Sequence, residues 1–202
     1  MLTNKEPHKN GIWCLNSEGI LVSRDEWNDS MTSHGVVVIA DECAFIIAPH
    51  HTIATQFSPT CKGHGLEILE TNRESLDCHS ATSKIVKEYK GIKHTHKDVE
   101  SYYDFIGAPA AEFCQNYKVD SKDSREWALP TVVQLKMIAK HIKEINDCFL
   151  VMGCPPVIPG DYWSSIVNRN LCAWRVSMLS GGAYYLSRVY LNYVRAVSAF
   201  NI

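Results

Sequence analysis

The sequence lacks several features that would assign it directly to a class of protein. It has no basic excess, since 20 Lys and Arg face 22 Asp and Glu and the formal net charge is −2. Binding to nucleic acid by bulk electrostatics is therefore not expected. No apolar run of about 18 residues occurs, so we expect no membrane insertion. The first residues, MLTNKEPHKNGIW, lack the apolar core of a signal peptide, which predicts a chain made in the cytoplasm.

Motifs that mark enzymes and metal sites are also missing. The chain has eight cysteines but no CxxC pair, and most of the cysteines lie in apolar stretches such as DECAFIIA and NLCAWRV. This pattern predicts reduced, buried thiols. There is no nucleophile elbow, no phosphate-binding glycine loop and no HExxH. The histidines, including His94 and His96, fit no zinc signature and are expected in loops and at the surface. We therefore expect no enzyme, no cofactor and no metal site.

The order of predicted elements is strands, then helices, then strands, which indicates an α+β fold. Residues 11–22 and 35–48 each predict a β-hairpin, and residues 49–98 predict a long loop region with a short helix near 83–89. Two main helices are predicted, over 110–117 and from Thr131 to about Phe149. Thr131 and Gln134 form a capping-box pattern at the start of the second helix. An apolar stripe at spacings of three and four follows it: Leu135, Ile138, Ile142, Ile145 and Phe149.

The C-terminal part predicts short strands separated by turns, one of them at Gly181-Gly182. Because a strand at the C-terminus often pairs with an early strand, we expect the two ends of the chain to share a sheet. The predicted domains are an N-terminal hairpin or lead-in segment over 1–34 and a main domain over 35–202.

Residues 161–202 have an unusual composition. They contain no Lys, Glu or Gln, one acid (Asp161), and an abundance of Tyr, Trp, Ser, Asn and Arg. Buried strands would exclude long charged side chains, which explains the apolar members of the segment. The same residue types are also those that recognition surfaces use, because Tyr and Trp give large contact areas and Ser and Asn give adaptable hydrogen bonds. Several positions are too polar for a core and favour recognition: Asn168, Arg169, Asn170, Ser187, Arg188, Tyr190 and Asn192.

A series of short motifs adds a family resemblance. They are Trp127–Pro130, Ile145-Asn146, Gly153, Tyr162–Ser165, Ala173-Trp174, Gly181-Gly182 and Tyr193–Phe200. The series resembles the C-type-lectin-like domain of the Lcl C-terminal (DUF1566) group. It is most similar to the variable proteins of diversity-generating retroelements in gut bacteria and their phages. The resemblance extends upstream but is poor over 49–98, and Ile166-Val167 stand where the family commonly has Thr-Glu.

The resemblance implies a C-type-lectin-like fold of short antiparallel strands, two helices and long irregular loops. It further implies a ligand-binding segment over about 162–197, diversified by adenine-directed mutagenesis. Substitution of the adenines in Asn codons would produce no Lys, Glu or Gln codons. The expected partner is a protein or glycan receptor on a target surface. The expected location is a phage tail or a cell surface reached by a non-Sec route, and trimers occur among relatives. The predicted contact residues are Asn168, Arg169, Asn170, Arg175, Ser177, Leu179, Tyr185, Ser187, Arg188, Tyr190 and Asn192.

Two alternatives stay open. One is an undiversified adhesin or fibre-tip subunit of the cell surface, built on the same fold. The other is an enzyme of the formylglycine-generating type, whose catalytic signature is not visible in the sequence. Trp27-Asn28-Asp29 matches a calcium motif of sugar-binding lectins, but no EPN or QPD partner motif accompanies it.

Overall fold

A computed structural model describes residues 9–40, 43–50, 54–59, 69–95, 104–168 and 172–200. The strands are β1 (Gly11–Asn16), β2 (Leu21–Val22), β3 (Ser33–Ala40), β4 (Cys43–Ile47), β5 (Lys93–His94), β6 (Phe105–Ile106), β7 (Asp161–Asn168), β8 (Cys172–Ser177), β9 (Ala183–Ser187) and β10 (Val197–Ala199). The α-helices are α1 (Cys78–Tyr89), α2 (Pro109–Gln115), α3 (Val132–Lys140) and α4 (Ile142–Val151). None of the helices in these ranges has the length and apolar character needed to cross a membrane.

Five strands form the central antiparallel sheet, in the order β10-β4-β3-β1-β2. Both predicted hairpins are confirmed, since β1 pairs with β2 and β3 pairs with β4. The start of β3 requires a glycine. Gly35 has a φ of 131°, and a Cβ at this position would lie 2.5 Å from the carbonyl oxygen of Ile47. Any residue with a Cβ at position 35 would therefore force β3 away from β4.

The apolar run of β3 has no polar alternation because both faces of the sheet are buried. Val37 and Ile39 face one core, to which α1 and α2 contribute. Val36 and Val38 face a second core, to which α3 and α4 contribute. Alternate residues of one strand thus enter different cores, one on each face of the central sheet.

The C-terminal strand pairs with an early one, as predicted. In β10, Val197 lies opposite Ile47 and Ala199 lies opposite Phe45, both in β4. On the other side of β3, strand β1 comes from the segment predicted as a lead-in and pairs along its whole length with β3. The predicted segments 1–34 and 35–202 therefore both contribute strands to one sheet.

A second sheet of three strands, in the order β7-β8-β9, carries most of the C-terminal segment. The predicted turn joins β8 to β9, where Gly181 has a φ of 69° and donates its amide hydrogen to the Ser177 carbonyl at 2.8 Å. Among the described residues, β9 pairs with β8 and with no other strand; we call its second edge, as far as the described residues go, the open edge. This edge is where the structure places the residues considered below.

The predicted long helix is wrong in one respect, because it divides at His141 into α3 and α4. His141 has φ −110° and ψ 25°, outside helical values. The division lets α3 pack on β7 and β8 while α4 packs on β1 and β3. The stripe nevertheless faces the core along both helices, with Ile142 half-buried and the other four residues buried. The capping box is confirmed, since Thr131 Oγ1 accepts the Gln134 amide at 3.3 Å and the Thr131 amide donates to Gln134 Oε1 at 2.9 Å.

The α+β class is confirmed in its coarse form: the described residues hold four α-helices and antiparallel sheets. The expectation of two helices is wrong. Besides the division at His141, α1 begins five residues before the predicted start at 83, because Asp77 accepts the Ser80 amide at 2.9 Å and caps it. The seven described cysteines are free thiols and four of them are buried, which agrees with the prediction of reduced thiols.

Candidate recognition surface

The open edge at β9 carries a concentration of exposed apolar and aromatic side chains. Of the ten large hydrophobic residues that are exposed in the described ranges, five fall between 179 and 191. We call them the β9 surface: Leu179, Tyr184, Tyr185, Tyr190 and Leu191. The five residues lie on β9 and on the segments that flank it, and exposed tyrosines are enriched at surfaces that bind a partner. Leu179, Tyr185 and Tyr190 were predicted contact residues, whereas Tyr184 and Leu191 were missed.

The two neighbouring tyrosines of β9 lie on opposite faces of the small sheet, because side chains alternate along a strand. Tyr185 lies opposite Trp174 in β8, and their rings meet edge to face at 5.5 Å. The Arg73 guanidinium lies 4.1 Å from the centre of the Trp174 ring. Trp174 is therefore held between a cation and a tyrosine, which leaves the Tyr185 ring fixed but exposed.

On the other face, Tyr184 lies opposite Arg175. Arg175 donates to Asp161 Oδ2 at 2.6 Å and to Asn192 Oδ1 at 3.4 Å. The Arg175–Asp161 pair is partly exposed, so it contributes at most about 1 kcal/mol to stability. Its main effect is to hold the guanidinium beside Tyr184. Arg175 therefore lies at this surface as predicted, with much of its charge already neutralised.

Two predicted contact residues are in fact interior residues. Arg188 is 0% exposed, donates to the hydroxyl groups of Ser58 and Tyr89, and lies with its guanidinium 5.4 Å from the Tyr89 ring centre. Asn192 is buried and pairs with Thr55 through two backbone hydrogen bonds of 2.9 and 3.1 Å. Both were chosen for their polarity, but each fastens the C-terminal segment to a loop more than a hundred residues earlier in the chain.

The remaining predicted residues divide between the two faces. Asn168 and Ser187 lie in one row across the small sheet, on either side of Cys172, and are half-buried. Ser177 is half-buried on the face of Arg175. Arg169 and Asn170 lie outside the described residues. The structure therefore brings Tyr185, Ser187 and Asn168 to one face and Arg175, Ser177 and Tyr184 to the other, instead of uniting them in one patch.

One expectation about histidines also needs correction. His94 was expected at the surface, but it is buried and its ring stacks on Phe105 at 4.8 Å. In the described ranges, no group of three or more His, Cys, Asp or Glu side chains is placed to hold a metal ion.

Comparisons with known proteins give a fold and no family. No family model matches the chain, and no curated protein gives a significant sequence match. The fold is similar to that of a fimbrial protein from Bacteroides ovatus, with a TM-score of 0.63 and 12% sequence identity. The match covers 96% of this chain and 49% of the fimbrial protein, so this chain spans about half of that protein's length. The two proteins share an α+β architecture.

Proposed function

We propose that this protein is a non-enzymatic binding protein of the adhesin type, which presents the β9 surface to a protein or glycan receptor on a target surface. The observation that carries the proposal is the presence of five exposed apolar and aromatic residues within thirteen positions, on β9 and the segments that flank it. Tyrosines dominate the cluster, and tyrosine gives a large contact area at a low cost in conformational entropy.

The scaffold supports this assignment. The proposed fold is C-type-lectin-like: the C-terminal strand β10 forms one edge of the central sheet, and the three strands of the small sheet precede it in the chain. Most core contacts of the small sheet come from β7 and β8, whereas β9 is half-buried or exposed and contributes Ala183 and Leu186 at the margins of the two cores. The exposed residues of β9 can therefore change with little effect on the core.

The fimbrial neighbour favours one of the two binding alternatives. It supports display on a cell surface, as a subunit that contacts a target, more than display on a phage tail. Fold similarity at this level is an analogy, so the role rests on the β9 surface and its test.

The test compares two sets of substitutions. The variant Tyr184→Ser, Tyr185→Ser, Tyr190→Ser removes the aromatic part of the β9 surface. Leu150→Ser is a matched control, because Leu150 is 75% exposed and lies at the end of α4, outside that surface. Fluorescently labelled proteins are applied to a printed glycan array and to immobilised mucin. We expect the wild type and Leu150→Ser to bind alike and the triple variant to lose binding while its melting temperature stays within about 2 °C. Equal binding by the triple variant, or no binding by the wild type, would contradict the proposal.

Diversification of the segment is a separate proposal. It is supported by the absence of Lys, Glu and Gln after residue 160 and by the exposure of the β9 surface. Sequencing the coding region of residues 160–200 in several isolates tests it. We expect variation at Leu179, Tyr184, Tyr185 and Tyr190 and constancy at Arg188. Uniform sequences would favour the undiversified adhesin.

A further inference from the structure

A polar cleft lies away from the β9 surface and shares no residue with it. It has a volume of about 500 Å³ and is bounded by the β1–β2 turn, the start of β3 and the loop 118–127. Six side chains supply its chemistry: Ser17, Thr32, His34, Asp120, Lys122 and Arg125. The volume is within the range of small-ligand sites and is large enough for one or two sugar rings.

Arg125 is held in one position on the wall of this cleft. Its Nη1 donates to His34 Nδ1 at 3.1 Å and to Asp123 Oδ1 at 3.2 Å. Because a guanidinium can only donate, His34 Nδ1 must be the acceptor, and the ring proton lies on Nε2. His34 Nε2 then donates to Asp120 Oδ2 at 3.1 Å. The histidine therefore links a cation to a carboxylate and fixes both side chains.

The second anchor of Arg125 is a carboxylate that is already fully occupied. The Asp123 side chain is 1% exposed and accepts the Trp127 indole hydrogen at 2.7 Å and the backbone amides of Val119 and Arg125. Burial alone would raise the pKa of Asp123, but these hydrogen bonds and the Arg125 charge outweigh it and lower the pKa below its usual value. Asp123 thus stays ionised in the wall of the cleft, with its buried carboxylate occupied by these donors and by Arg125.

Arg125 keeps free donors after these bonds are made. Its side chain is 24% exposed, and within the described part of the chain its Nε and Nη2 bond to no protein group. The exposed ammonium of Lys122 lines the same cleft, together with the hydroxyls of Ser17 and Thr32. Two carboxylates oppose these cations: Asp123, which is buried and paired with Arg125, and Asp120, which already accepts from His34 and from the Lys122 amide at 2.8 Å. The cleft therefore offers two cations, hydroxyls and one half-exposed carboxylate that can accept from a sugar hydroxyl.

We propose that this cleft binds a carboxylate-bearing sugar, with the free edge of the Arg125 guanidinium and the Lys122 ammonium on the sugar carboxylate. The remaining hydroxyls of the sugar would contact Ser17, Thr32 and Asp120. The planar edge of a guanidinium matches a planar carboxylate in a two-bond geometry, which a single ammonium cannot provide. The site is independent of the β9 surface and goes beyond the proposed function.

The test uses D-glucuronic acid as the probe, with D-glucose and D-glucose 6-phosphate as comparison ligands, in amide chemical-shift titrations of the whole chain. We expect glucuronic acid to shift amides in the loop 118–127, and glucose to shift them at least about tenfold less effectively. Arg125→Gln should weaken glucuronic acid binding by about tenfold or more. Lys122→Gln, an exposed change that leaves the loop intact, should weaken it by a smaller factor.

Controls separate this site from general effects. Arg24→Gln removes an exposed arginine elsewhere and should leave binding unchanged. The triple tyrosine variant of the β9 surface should also bind glucuronic acid normally, so that failure of one proposal leaves the other standing. The cleft proposal is overturned if glucuronic acid causes no shifts in the wild type. It is also overturned if glucose 6-phosphate binds as tightly, or if both Arg125→Gln and Lys122→Gln bind like the wild type.

Discussion

The most informative stability experiment replaces Arg188, the residue for which polarity in the sequence and position in the structure disagree most. Arg188→Ala removes a fully buried guanidinium and leaves the hydroxyls of Ser58 and Tyr89, which are themselves buried, without this donor. Tyr185→Ala is the matched comparison. It lies three residues earlier and is 59% exposed.

Two opposing effects determine how much Arg188→Ala lowers the free energy of unfolding. Each hydrogen bond from a charged donor contributes about 1.5 to 3 kcal/mol, so two such bonds amount to about 3 to 6 kcal/mol. Burial of the guanidinium costs desolvation free energy, and its removal in Arg188→Ala relieves that cost, which offsets part of the loss of the two hydrogen bonds. We therefore expect Arg188→Ala to lower the free energy of unfolding by about 3 kcal/mol. In a chain of this size that corresponds to a fall of about 6 to 12 °C in melting temperature.

The assay is thermal and urea unfolding followed by circular dichroism. Tyr185→Ala should change the melting temperature by about 2 °C or less, because an exposed ring contributes little to the core. Arg188→Met separates volume from hydrogen bonding, since it fills the space but donates nothing. The reasoning is refuted if Arg188→Ala melts within about 2 °C of the wild type, or if Tyr185→Ala is the more damaging change.

Three further predictions concern buried residues that stabilise the fold. Asp123→Asn should destabilise the fold at neutral pH by about 1 to 3 kcal/mol. The lowered pKa of Asp123 stabilises the fold above its usual value of 3.8, and this stabilisation is lost as pH falls through the folded-state pKa. The gap between wild type and variant should therefore close in acid urea titrations, and a gap independent of pH would argue against an ionised Asp123. Thr131→Ala removes the hydrogen bond from the Gln134 amide to the Thr131 hydroxyl and should lower the free energy of unfolding in urea by about 1 kcal/mol. An unchanged urea midpoint would contradict this prediction. Burial raises the pKa of Tyr117 and of Tyr162 to about 12. A tyrosine in the unfolded chain ionises near pH 10, so above this pH the unfolded state loses these two protons before the folded state does. The stability that the two protonated tyrosines give the fold is therefore present below pH 10 and is lost as pH rises towards 12. Ultraviolet absorbance titration should show a late tyrosinate fraction that appears together with unfolding, and full ionisation near pH 10 in the folded protein would disprove it.

Features with local causes were predictable from the sequence. The hairpins follow from short apolar runs on either side of turn residues, and the start of α3 follows from Thr131 and Gln134, three positions apart. The apolar run of β3 indicated a strand but not that both faces are covered, because the covering helices lie far away in sequence. The division at His141 had no local signal, since it arises from the packing of α3 and α4 on different sheets.

For the candidate site too, contacts between residues far apart in the chain could not be predicted from the sequence. Composition singled out the segment 161–202, and the predicted residues Leu179, Tyr185 and Tyr190 are exposed in the structure. Polarity alone could not distinguish a surface arginine from Arg188, because the hydroxyls that accept its hydrogen bonds lie 99 and 130 positions away in the chain. Tyr184 was missed because alternation predicts that one of two neighbouring strand residues is buried. At an open edge both of them can be exposed.

The central claim is that the outward residues of 179–191 carry recognition while Arg188 and Asn192 hold the fold. The most direct measurement is a displayed library with single substitutions at every position from 179 to 192, sorted separately for protease resistance and for binding to immobilised mucin. We predict that substitutions at the β9 surface pass the first sort and fail the second, whereas substitutions at Arg188 and Asn192 already fail the first. Loss of protease resistance at Tyr184, Tyr185 and Tyr190, or free substitution at Arg188, would contradict the account.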